Sequence, residues 1–220
     1  MRHPWPAVIA ALLGTNLVTA AAVVLWSQER LAEQAGWAAN RQKTADLVAL
    51  VTDLGGLAEW LEVAANGTLP ARVRGDAVGN ATGPANSLED DARTLAEDYA
   101  HQDVSLADLW SGLEALGLSR RAFPAIVQDF YSAGATSSYH RGAIENITRI
   151  ARGAQGLLYP AARTFDPSAV LSAFATDPLA ALAAAERAAL GGLASQATCL
   201  YDRLYLGEDF VACVAAVRAP

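Results

Sequence analysis

Residues Trp5 to Trp26 read WPAVIAALLGTNLVTAAAVVLW, 22 positions without one charged side chain. At about 1.5 Å of helical rise per residue, such a run matches a hydrocarbon layer of about 30 Å. No other stretch limits the chain's options so strongly, because it has to be removed, covered or embedded. The sequence-based expectation is a transmembrane signal anchor over 5–26, preceded by a short cytoplasmic terminus over 1–4, with Trp5 and Trp26 as interfacial brackets. Thr19-Ala20-Ala21-Ala22 offers the small residues of a cleavage site, but the run outlasts the roughly 7 to 15 apolar residues of a signal-peptide core.

The polar residues inside the run suggest a face for another helix. Asn16 sits near its middle, Ala11, Thr15 and Thr19 repeat at intervals of four, and Ala10 and Gly14 form a second small-residue pair. In lipid an amide needs a hydrogen-bond partner, and small side chains let helices approach closely. Ala10, Ala11, Gly14, Thr15, Asn16 and Thr19 are therefore the expected membrane-helix contacts.

Two features place the rest of the chain outside the cytoplasm. Three of the six Asn residues head N-x-[ST] sequons, at Asn66, Asn80 and Asn146, and are candidate glycosylation sites. Cys199 and Cys213 lie seven residues either side of Leu206, which with Gly207 forms a turn signal. Folded back as a helical hairpin, the two would stand level, and a disulfide closing that loop would contribute about 3 kcal/mol. Such a bridge needs an oxidising compartment.

Beyond the apolar run the periodicity is helical. Leu47, Leu50, Leu54, Leu57 and Leu61 recur every three or four positions, so 27–65 reads as a stalk or first bundle helix. Segment 66–87, with four Gly and two Pro, reads as a loop able to carry glycans. Ser87 and Ser105 each precede an acidic residue three positions later, and Ser119, Ser137 or Ser138, Asp166-Pro167 and Asp177-Pro178 mark further helix starts. No β-branched alternating run interrupts this pattern. The expected fold is all-α: an N-terminal transmembrane helix followed by an extracytoplasmic helical bundle, with 88–220 ending in the disulfide-bridged hairpin.

Charge and composition narrow the function. Ala fills 49 of 220 positions, and 23 acidic residues against one Lys and 15 Arg give a net charge of −7. An acidic chain lacks the clustered positive charge that phosphate recognition needs, so nucleic acid is not an expected partner. Catalytic signatures are absent from the sequence: there is no G-x-S-x-G, no H-E-x-x-H and no phosphate-cradling glycine loop. His101, four residues after Glu97 and two before Asp103, has no third ligand in view, and His140 has no nameable partner. No cofactor, metal or catalytic residue is expected.

The leading expectation is a protein that acts by interaction, as an accessory subunit of a membrane complex or an envelope or surface component, partnering another transmembrane or surface protein or itself. A second expectation is a ligand-binding or sensory bundle in which Trp110, Phe123, Phe130 and Tyr131 line a pocket. A third, ranked below both, is a small extracytoplasmic hydrolase or metalloenzyme using His101 or His140. No segment carries a signature that names a family.

Overall fold

A computed structural model describes the backbone of residues 5–100, 103–163 and 169–206, and side chains from Thr19 onward within those limits except at 104, 105, 181, 205 and 206. Every regular element among the described residues is helical. Helix α1 spans Trp5–Ala65, followed by α2 (Ala71–Asn80), α3 (Thr82–Tyr99), α4 (Val104–Leu118), α5 (Phe123–Ala133), α6 (Ser138–Ala162) and α7 (Ala184–Leu206). Short 3-10 turns occupy Ser119–Ala122, Leu171–Phe174 and Pro178–Ala181.

The chain divides into two compact units, one of residues 1–41 and 168–177 and one of residues 42–167 and 178–220. In the first, Phe174 is buried, its carbonyl accepts a hydrogen bond from Asn40 Nδ2 at 3.0 Å, and the Arg41 guanidinium lies 5.8 Å from its ring centre. The rest of the described α1 in this unit is open to solvent, from Thr19 almost without break to Ala39.

The second unit is a bundle whose core follows the sequence periodicity. Leu47, Leu50, Leu54, Leu57 and Leu61 of α1 are all at most 1% exposed, as are Leu88 and Leu95 of α3, Trp110, Leu113 and Leu116 of α4, and Ile144, Ile147 and Ile150 of α6. Helix α3 packs on α4, α4 and α6 on α7, and α2 on α5. Ser137 caps α6, its hydroxyl accepting the His140 N–H at 3.1 Å. Gly134 ends α5 at φ 69°, a left-handed cap that favours a residue without Cβ.

Two expectations need correction. The first concerns the membrane: among the described residues no helix is long and apolar enough to cross one. That overturns the single-pass anchor expected over 5–26.

The second correction is the loop. Most of 66–87 is helix: Asn66 closes a turn by accepting from the Thr68 N–H and hydroxyl, Pro70 precedes α2, and α3 starts at Thr82 instead of after Ser87. Gly75 serves packing, since a Cβ there would stand 3.2 Å from Phe130 Cβ. Pro84 sits in the first turn of α3, where its missing N–H costs no helical hydrogen bond.

Candidate functional site

The described part of α1 in the first unit has the chemistry of a binding surface. Val23, Val24, Leu25, Trp26 and Leu31 are 52–65% exposed. On the same helix, Leu47 to Leu61 are buried at the spacing expected of a packed face. The charges beside the exposed residues are spent locally: the Arg30 guanidinium lies 5.4 Å from the Trp26 ring centre and 3.9 Å from Glu33. Exposed large apolar side chains crowded on one helical segment are the surface type that associates with another apolar surface.

The expected contacts Ala10, Ala11, Gly14, Thr15 and Asn16 lie outside the described side chains, and Thr19 is exposed. Asn66 and Asn80 are exposed, at the end of α1 and of α2. Asn146 is different: it lies within α6, its Nδ2 donating to the Gly142 carbonyl at 2.8 Å and its Oδ1 accepting from Arg149 at 3.3 Å. Cys199 is buried on α7 and is not a free thiol, whereas Cys213 lies outside the described residues.

The aromatic pocket is not formed. Trp110, Phe123 and Phe130 are solid core at no more than 1% exposure, and Tyr131 is 53% exposed with its hydroxyl donating to Asp76. A cleft of about 340 Å³ opens elsewhere, between α4 and α7, lined by Asp103, Asp108, Leu109, Arg187 and Ser195.

Two clusters of titratable groups have no counterpart among the sequence expectations. At the α5–α6 junction, His140 Nδ1 lies 2.7 Å from Asp129 Oδ2, which also accepts the Ser137 N–H at 3.1 Å. These bonds, first that to His140, hold the Asp129 carboxyl below the ordinary range. The spacing of the pair, 11 residues across a turn, gives no local signal. His101 lies outside the described residues, and among those described no three His, Cys, Asp or Glu gather as a metal site. The second cluster joins α1 to α3, where Asp53 and Asp91 share a hydrogen bond. Burial first, then that bond and the Asp91 charge, push the Asp53 carboxyl up to about 7. Asp91 and Asp46 are raised as well, in both cases chiefly by burial.

No family model matches this chain, and no curated protein or solved structure matches it.

Proposed function

We propose that this chain acts by interaction, as a helical bundle whose amino-terminal helical segment binds another protein. The exposed apolar side chains of Val23, Val24, Leu25, Trp26 and Leu31 carry the reading. Water contacts Leu25, Trp26 and Leu31 over most of their surfaces, and burying apolar area is worth about 25 cal/mol per Å². Large aromatic side chains such as Trp26 are the commonest energetic anchors of protein interfaces. A photo-crosslinking residue at Leu31 in native host cells should yield a discrete adduct that is lost with Trp26→Asp, while one at the exposed polar Thr94 of the bundle should not. Equal labelling from both positions sinks the reading.

The cleft between α4 and α7 favours a second reading, a small-ligand-binding bundle, with Asp103, Asp108 and Arg187 as its charged lining. In that reading specificity comes from polar groups at the rim and not from the core aromatics.

We also propose that Cys199 bridges Cys213 and that Asn66 and Asn80 are the sequons open to glycans. The buried, non-free Cys199 supports the first and the exposed amides the second. Burial of Asn146 Nδ2 in a helical hydrogen bond counts against a glycan there. Intact-mass measurement of the native protein, with and without reduction and alkylation, should add two alkyl groups only after reduction, and any glycan mass should map to 66 or 80. Alkylation of both thiols without reductant would dispose of the bridge.

A further inference from the structure

Two contacts fix the register between α1 and α3, and two charge interactions fall between them. Lys43 Nζ lies 4.0 Å from the Tyr99 ring centre, Asp46 feels the charge of Asp98, Asp53 bonds Asp91, and a Cβ at Gly56 would meet Pro84 Cγ at 3.3 Å. As residue numbers rise along α1 they fall along α3, the signature of an antiparallel pair. Aspartates stand seven apart on both helices, at 46 and 53 and at 91 and 98, so the register brings Asp53 against Asp91 and sets Asp46 in the field of Asp98.

We propose that Asp53 and Asp91 form a proton-dependent clasp between α1 and α3, closed while the pair holds one proton and loosened when that proton passes to solvent.

Two carboxylates in contact repel, and a shared proton turns the repulsion into a hydrogen bond. The charges acting on the pair are themselves acidic: Asp91 on Asp53, and Asp90 on Asp91. The nearby cations face other groups. Arg93 of α3 contacts Glu89 at 2.7 Å, Asp90 at 3.4 Å and Glu114 of α4 at 3.1 Å. Arg152 of α6 grips Glu62 of α1 through Nε and Nη2 at 2.7 and 2.8 Å, and Gln155 of α6 lies against Gly55. Lys43 of α1 stands over Tyr99, with Asp46 between it and Asp53 along the helix.

The sign comes from linkage. With Asp53 raised from 3.8 to about 7, the folded chain holds more protons than the unfolded one between those values, so the pair's contribution falls as pH rises through that window and is level above it. Asn in place of Asp53 keeps a hydrogen-bond donor without the charge. The folding constant of full-length Asp53→Asn relative to wild type should therefore rise about tenfold from pH 4 to pH 8, less than the full shift implies because the pair is partly open to water. Taking the ratio removes the His140–Asp129 pair, common to both proteins. Hydrogen exchange of α1 amides around Asp53 should quicken above pH 7 in wild type beyond the intrinsic rate, and not in the variant. A pH-independent ratio overturns the clasp. Carboxyl-carbon resonances of wild-type Asp53 and Asp91 give a readout free of any folding defect in the variant: one midpoint near neutrality supports the clasp, and two midpoints below pH 5 overturn it.

Discussion

Trp110→Ala should destabilise the bundle by about 3–5 kcal/mol, the range for deleting a buried indole without refilling its space. Trp110 is fully buried on α4, which packs on both α3 and α7, so the cavity would touch three helices. Its ring lies 6.2 Å from that of Tyr99, tilted by 38°, and Tyr99 in turn carries Lys43 at 4.0 Å. Lys43, itself 3% exposed, therefore depends on an aromatic stack for part of its electrostatic environment. Loss of the indole lets Tyr99 move into the gap and weakens the site that accepts the ammonium. Trp110 Nε1 has no hydrogen-bond partner among the described residues. The loss in Trp110→Ala is thus one of packing, and Trp110→Phe, which keeps a ring and deletes the unpartnered N–H, should be much milder. Urea denaturation followed by circular dichroism decides this, provided the slope stays constant so that midpoints report stability. Equal losses from Ala and Phe would mean that the indole nitrogen matters after all.

Much of the bundle was legible because its helices obey one rule, burial every three or four residues. The leucines from Leu47 to Leu61 and the Ser137 cap show this, and they are local signals complete within two turns. Where a residue's role depends on a distant partner, the sequence is silent. His140 looks isolated until Gly134 turns the chain and brings Asp129 beneath it. The heptad spacing of Asp46 and Asp53, and of Asp91 and Asp98, is visible in the sequence, but two solvated acidic faces have the same spacing. Only the antiparallel register makes them a pair. Composition misled in two places. Gly and Pro between 66 and 87 read as loop because a glycine packed against a neighbour, as Gly75 is against Phe130, and a proline in a helix's first turn, as Pro84 is, leave the same letters as turn residues. The apolar count over 5–26 read as a membrane span, whereas among the described residues no helix is long and apolar enough to cross one.

Gly117→Ala turns that ambiguity into a measurement. Alanine in place of glycine in a helix interior ordinarily stabilises by about 1 kcal/mol, so a purely local role predicts a gain. At Gly117, near the end of α4, a Cβ would stand 2.7 Å from the Ala85 carbonyl oxygen and 2.8 Å from the Glu89 nitrogen, both backbone atoms of α3 that no rotamer change can move. Gly112, on the same helix, meets Ala194 of α7 as closely, with a Cβ–Cβ separation of 2.6 Å and its carbonyl oxygen at 2.7 Å. Relief requires α4 to draw back from one neighbour, and the neighbouring Glu89 contacts to Arg93 and Arg120 would be dragged with it. The expected result for either substitution is a loss of about 1–3 kcal/mol, the usual cost of overpacking. Gly156→Ala is the matched control: Gly156 is exposed on α6 and nothing lies within 4 Å of its would-be Cβ, so alanine there should raise stability by about 0.5–1 kcal/mol. Opposite signs at 117 and 156 would show that the glycines of α4 are there for the approach of α3 and α7. Gains at both would mean that α3 and α4 stand further apart than 2.7 Å allows, and the carboxyl register of α1 against α3, which depends on where α3 sits, would have to be re-measured with it.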